Sequence, residues 1–302
     1  MKELVLDNVM INHESVLLRA QEFLQGEIIE VERNSLGMTN INYKCILDNG
    51  NKYMIRVPGL GSECLVNRDN ENHVIKGIQS LGIDIKTVFF DVASGVKITE
   101  FVEDSNILKG NKIQMIDIGI EKLKDLHHSQ AIFKNRFDFW NWIDNYLATC
   151  EKFGIRIKKS FFQMLNCLEN FKVLPSLNPT SLLPCHNDPV PENFLVTKSG
   201  EVFLIDWEYG GMNDPVWDLA AFSLEIGLEK GEEERLLNLY YNHKYDKEIV
   251  STKMLLNKVY QDLLWYLWSE IKIFFGQDIS DYTNMRYLRG EENYNSLIKI
   301  LD

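Results

Sequence analysis

Cysteine and proline are scarce in this 302-residue chain, and neither is spaced as a structural framework would need. The five cysteines, Cys45, Cys64, Cys150, Cys167 and Cys185, are odd in number and form no C-x-x-C pair. That argues against a disulfide scaffold or a thiolate zinc site and leads us to expect a reducing, cytoplasmic setting. Positive charge is short as well: 32 Lys and Arg stand against 44 Asp and Glu, a net charge of -12. A surface of that sign lacks the clustered cations that nucleic acid and anionic membrane demand, so neither is expected as a partner, whereas a cationic small molecule suits it. No basic-apolar leader opens the sequence, and its stretch VYQDLLWYLWSEIKIFF is interrupted by Asp262, Glu270 and Lys272, so neither a signal peptide nor a membrane span is expected. Repeats and low-complexity tracts are missing too. What is present is a 45% hydrophobic fraction, ample for a core, on a length that suits two lobes around a shared cleft.

Six of the seven prolines fall between Pro175 and Pro215, and they frame the most informative stretch, Leu182 to Phe222. Within it His186, Asp188 and Asn193 form H-x-D-x-x-x-x-N, and thirteen residues past Asn193 the strand-like run VFLI ends at Asp206. Isolated Asp and Asn residues in a Pro-rich loop are usually caps and turn formers. The joint spacing outweighs that bland reading, because it supplies the parts phosphoryl transfer needs: a carboxylate for the acceptor hydroxyl, and an Asn and an Asp for Mg²⁺. Asp188 is the expected base, with Asn193 and Asp206 on the metal. Glu208, two residues beyond Asp206, is expected to project from the same strand face and share the metal. Cys185, beside the loop, is expected to be a small buried residue.

Upstream, an amphipathic helix near His13 to Gln25 precedes strand-like pieces EIIEVERN, INYKCIL and KYMIRV, separated by turns at Leu36 to Asn40 and Asp48 to Asn51. Arg56 lies on KYMIRV, where a kinase places the cation that grips phosphates. The helix-like NRDNENHVIKGIQSL offers Glu71 as its partner, with Glu63 and Asp69 as competitors. GVKITEFVE is a strand running into a connector. Beyond Glu103 the pattern turns helical, with Ile116, Ile120, Leu123 and Leu126 on one stripe and His127 expected to cap or pack. In the helix near Thr252 to Phe275, Leu255, Val259, Leu263, Leu267 and Ile271 form one stripe, while Trp265 and Trp268 fall nearly opposite. The two indoles are thus expected to be surplus to the main packing face, a second core contact being the bland alternative.

Four segments, SLGMTNINYK, HNDPVPENF, LIDWEYGGMNDPVWDLA and QDLLWYLWSE, resemble the choline kinase and aminoglycoside phosphotransferase family, bacterial choline kinases in particular, from about Asn34 to Arg289. The resemblance implies an α+β, bilobal, protein-kinase-like fold. Residues 1–102 would form a small antiparallel β-rich nucleotide-binding lobe with the hinge, and 103–302 a larger, mainly helical lobe for catalysis and acceptor binding. It implies that Gly37, Met38, Thr39 and Asn40 approach phosphates, that Arg56 pairs with Glu71, and that the backbone of Glu100, Phe101 and Val102 binds adenine. Trp265 and Trp268 would wall a quaternary ammonium together with Tyr209, Phe275, Tyr282 and the carboxylate Glu225. Each cation–π contact there contributes roughly 0.5–2 kcal/mol. Asp218 would brace the catalytic loop, and Asp214 would be a turn residue. The implied activity is ATP- and Mg²⁺-dependent phosphorylation of choline to phosphocholine. Ethanolamine, another amino alcohol or an aminoglycoside is the alternative acceptor. A nucleotide-binding module without catalysis would be expected to have lost Asp188, Asn193 or Asp206, and all three are present. One departure stands out: Pro189, where relatives often carry an apolar residue, removes a backbone donor and holds Asp188 outside the helical region.

Overall fold

Alternating apolar residues in the first third of the chain build one antiparallel sheet. Its strands are β1 (Ile28–Asn34), β2 (Asn40–Leu47), β3 (Lys52–Pro58), β4 (Thr87–Phe90) and β5 (Lys97–Glu100), in the order β1-β2-β3-β5-β4. The coordinates are a computed structural model that describes residues 17, 20–34, 40–178 and 181–301. The β2–β3 turn closes where expected, with Gly50 at φ 84 and its N–H donating to Leu47 O at 2.9 Å. Tyr43, Cys45, Leu47, Ile55, Val57 and Ile98 form the sheet's buried face, covered by Ala20 and Leu24. The start of the expected first helix, through Arg19 apart from Leu17, and Gly37, Met38 and Thr39 lie outside the described residues.

Helix α1 (Arg68–Ile78) follows β3, capped by Asn67, whose Oδ1 accepts from Asn70 N at 3.0 Å. It buries Val74, Ile75 and Ile78 and, unusually for a carboxylate, Glu71.

The remainder is mainly helical: α2 (Lys112–His127), α3 (Phe139–Phe153), α4 (Lys159–Glu169), α5 (Pro215–Glu225), α6 (Lys230–Tyr241), α7 (Lys247–Phe274) and α8 (Ser280–Leu301). Two small antiparallel sheets interrupt it. One is β6 (Ser105–Ile107), β8 (Phe194–Thr197) and β9 (Val202–Leu204); the other pairs β7 (Leu183–Cys185) with β10 (Gly211–Asn213). The predicted stripe of α2 is buried, and the helix comes so close to α5 that a Cβ on Gly119 would sit 2.3 Å from Phe222 Cζ. The architecture is the expected α+β, protein-kinase-like one.

Helix α7 departs from its expected amphipathic character. Leu263, Leu264, Trp265, Tyr266, Leu267 and Trp268 are all buried, so the helix runs through the centre of the large lobe with no solvent face over that stretch. Trp265 and Trp268 are therefore core residues. The expectation of surplus indoles fails because a 3.6-residue stripe locates one neighbour, and here helices pack on several sides. Two polar residues of α7 are satisfied by backbone carbonyls outside it: Gln261 Nε2 donates to Trp217 O at 2.8 Å and Lys272 Nζ to Leu60 O at 3.0 Å. The second bond ties the large lobe to the loop after β3. Another tie is Leu204 N to Ile83 O at 2.8 Å. Among the described residues no helix is long and apolar enough to cross a membrane.

Candidate active site

The loop between β7 and β8 is held from below by one carboxylate. Asp218, fully buried in the first turn of α5, accepts from His186 N through Oδ2 and from Asn187 N through Oδ1, both at 2.8 Å. Its position follows from local chemistry: Pro215 opens α5 and Asp214 caps it, accepting from Val216 N at 3.0 Å. Asp214 is thus a helix cap, ion-paired with Lys253 besides. His127, at the end of α2, lies 3.0 Å from Asp218 Oδ2 and 2.8 Å from Tyr240 Oη, which makes it a buried support for Asp218. Asn187 adopts the left-handed conformation (φ 67) and is locked by Tyr209 O, Asn213 Nδ2 and Trp217 Nε1. Such strain persists only where surrounding contacts over-determine it. Asp188 is thereby projected from a rigid turn. Asn193 Nδ2 donates to Asp188 O at 2.9 Å, joining the residue expected as base to the one expected on the metal. Pro189 is accommodated without disturbing these bonds. Cys185 is buried with its thiol pushed well up by burial, as a structural residue.

Asp206 lies beyond the end of β9 in the left-handed region (φ 66), so strand alternation cannot explain its approach to Glu208. The turn achieves it instead: oxygens of Glu71, Asp206 and Glu208 all lie within 4.8 Å of one another. Arg56 occupies the middle of that cluster. It grips Glu71 at 2.5 and 3.0 Å and reaches Asp206 at 3.1 Å and Glu208 at 3.4 Å. Glu71, rather than Glu63 or Asp69, is its helix partner. Arg68 adds contacts of 2.6 Å to Glu71 and 2.7 Å to Glu208, and Asn40 Nδ2 donates to Glu208 at 2.9 Å. Asn40 thus braces Glu208. Burial alone would raise Glu71, but Arg56, Lys97 and Arg68 hold it well below the usual carboxylate range. Asp206 goes the other way, raised by burial and by the Glu208 charge. Burial, then Asp206 and Glu225, push the Asp188 carboxyl up to about 8, and burial brings nearby Asp84 to about 7. This is a pocket with carboxylate charge in want of a cation. Its hard oxygen donors fit Mg²⁺.

The aromatic residues form a chain of edge-to-face rings: Tyr209 to Trp265 at 4.9 Å, Trp265 to Trp268 at 6.3 Å, and Trp268 to Tyr282 at 6.4 Å between centroids. Asp188 lies near enough for its charge to contribute to raising the Tyr209 and Tyr282 phenols, an effect led by burial. Phe275 is set apart; its ring neighbours are Phe153 and Phe274, and it packs under Gly61 at the lobe junction. Glu225 ends α5 and faces Arg286, 2.6 Å away. At the end of β5 and in the connector after it, the N–H groups of Glu100 and Phe101 are given to Lys86 O and Lys52 O, both at 3.0 Å.

Arg68, Arg286 and Trp142, which stands 5.5 Å from Tyr209, escaped the sequence analysis. Arg68 was accessible, since it stands three residues before Glu71 on one helix face. The other two come from segments whose place depends on tertiary packing.

Comparison with known proteins agrees with this geometry. The sequence model of the choline/ethanolamine kinase family matches residues 31–256. Protein LicA of Haemophilus influenzae is 31% identical over 262 residues, covering 82% of this chain and 96% of the relative. The crystal structure of choline kinase LicA from Streptococcus pneumoniae is similar with a TM-score of 0.81 at 32% identity, over 94% of this chain and 99% of that one. A structure of LicA in complex with AMP gives a TM-score of 0.80 at 30% identity, over 94% and 98%. A bracketed carboxylate loop, a buried Arg–Glu pair and a chain of packed rings thus coincide with a sequence match across most of the chain, which belongs to the choline/ethanolamine kinase family.

Proposed function

We propose that the protein transfers the γ-phosphate of ATP to the hydroxyl of choline, giving phosphocholine, with Mg²⁺ as the metal. The observation that carries this reading is the ring chain Tyr209–Trp265–Trp268–Tyr282 beside Asp188. A trimethylammonium group has no N–H to donate and is recognised by ring faces, while its hydroxyl lies a short reach away at the base. Asp188 orients the hydroxyl and takes its proton as it attacks in line; Arg56, fixed by Glu71, faces the phosphates. Asn193 and Asp206 would hold Mg²⁺, with Glu208 the third oxygen within reach, and the ion would neutralise phosphate charge. The backbone at Glu100 to Val102 binds adenine. With two of its amides committed to Lys86 and Lys52, Val102 N–H is the donor we assign. Gly37, Met38, Thr39 and Asn40 are assigned to phosphate binding. The AMP complex of a LicA relative supports the nucleotide assignment. Residues up to 102 then act as the nucleotide lobe and those from 103 as the acceptor lobe.

The family also includes ethanolamine kinases, so ethanolamine is the informative control. Wild-type protein with Mg-ATP should phosphorylate choline well and ethanolamine and aminoglycosides poorly. Trp265→Ala and Trp268→Ala should each raise KM for choline about ten- to a hundredfold, leaving KM for ATP nearly unchanged. Because both indoles are buried, each variant should also melt lower, by the equivalent of about 3 kcal/mol. Lower melting with an unchanged choline-to-ethanolamine preference would sink the assignment.

A further inference from the structure

Glu225 is the acidic member of the acceptor box, yet its charge is already matched. Its Oε1 lies 2.6 Å from Arg286 Nη2, as an ion pair outside hydrogen-bond alignment, and 3.7 Å from Arg289 Nη2. Both guanidiniums are anchored from behind by Asp262, fully buried on α7, which takes Arg286 Nη1 at 3.1 Å and Arg289 Nη2 at 2.7 Å. Two carboxylates thus face two guanidiniums. Arg286 also sits with its Cζ 4.9 Å from the ring centroid of Tyr282, the last ring of the chain. Its side chain is 3% exposed, so this placement is set by packing.

The chemical consequence concerns which ammonium the box accepts. A primary ammonium is held chiefly by charge-assisted hydrogen bonds, and it needs a carboxylate with free lone pairs and uncompensated charge. A quaternary ammonium makes no such bond, so masking that carboxylate costs it only part of the charge attraction and leaves its ring contacts intact. We infer that Arg286 is a specificity-determining residue: by masking Glu225 it withholds that carboxylate from primary-ammonium acceptors and leaves the rings to select quaternary ones. This rests on the choline reading above. Arg286 acts here through Glu225, without itself touching the acceptor. Glu225 and Arg286 also bear on the Asp188 carboxyl with opposite sign, which places the pair close to the reacting end of the box.

The test is the ratio of kcat/KM for choline to that for ethanolamine. Arg286→Met keeps length and removes charge, while Arg289 continues to hold Asp262. The ratio should fall about tenfold or more, chiefly through a lower KM for ethanolamine. Arg286→Lys, which retains a charge beside Glu225, should keep most of the wild-type preference. Adding Glu225→Gln to Arg286→Met should cancel the gain for ethanolamine, because the unmasked charge is then gone. Melting curves accompany each variant; if Arg286→Met fails to fold, Arg286→Gln, still able to donate to Asp262, carries the same comparison. An unchanged ratio in a folded Arg286→Met, or a gain that survives Glu225→Gln, overturns the inference while leaving choline phosphorylation intact. Wild-type protein that phosphorylates neither substrate overturns the acceptor reading and this inference with it.

Discussion

Asp188 depends on residues that do no chemistry, since the two amides before it are both given to Asp218 and Asp218 is held in turn by His127. The loop spacing was legible in the sequence because each member must face one small reaction volume. The bracing was not, because His127 lies 91 residues from Asp218 and nothing local links them. Asp188→Asn should reduce turnover by about 10²–10⁴-fold and leave ATP affinity near wild type; normal turnover would move the base elsewhere. The same variant reports on pH. A carboxyl whose folded pKa is raised keeps a proton that the unfolded chain has lost, so stability falls as pH rises between the two values. With Asp84 at about 7 and Asp188 at about 8, against an ordinary carboxyl value near 4, the ligand-free protein should lose melting temperature as pH rises from about 4 to about 8. His186 is lowered by burial and acts with the opposite sign at the acid side, where it offsets part of that slope. Asp188→Asn should flatten the slope, and an equal slope in both proteins would refute the assigned shift.

At the scale of elements, the strands of the small lobe were plain from alternation and turn residues, and α2 from its stripe. Two elements were misjudged for related reasons. Helix α7 was taken as amphipathic because a stripe registers one contact face, whereas a helix packed all round needs nothing of its sequence but tolerable side chains. Asp206 and Glu208 were set on a strand that ends at Leu204. They converge through a left-handed turn at a non-glycine residue, which no local pattern announces. Gly119 gives the sharpest test of packing between elements. Alanine there should favour an isolated helix by about 1 kcal/mol. Its Cβ would meet the Phe222 ring at 2.3 Å, so overpacking of about 1–3 kcal/mol should win and the melting temperature should fall. A rise would show that α5 can move away from α2 without cost.

Across the whole molecule the lobes are stitched by charge: Arg56 to Asp206, Arg68 to Glu208, and Lys272 to the Leu60 carbonyl. Arg68 is the informative member, largely covered and held between Glu71 and Glu208. Arg68→Met should cost about 3 kcal/mol of stability, as deletion from a buried pair does, and raise KM for ATP with acceptor preference unchanged. A shift in preference instead would tie the two halves of the site together more tightly than the contacts imply. The distribution of parts along the chain points the other way. Trp265, Trp268, Tyr282 and Arg286 all come from the closely packed α7–α8 hairpin, whereas Arg56, Glu71, Asp188, Asn193 and Asp206 precede it. On the choline reading most of the acceptor wall therefore sits on one hairpin, with Tyr209 and Glu225 outside it, so acceptor preference can be retuned there while the residues assigned to the phosphate stay as they are.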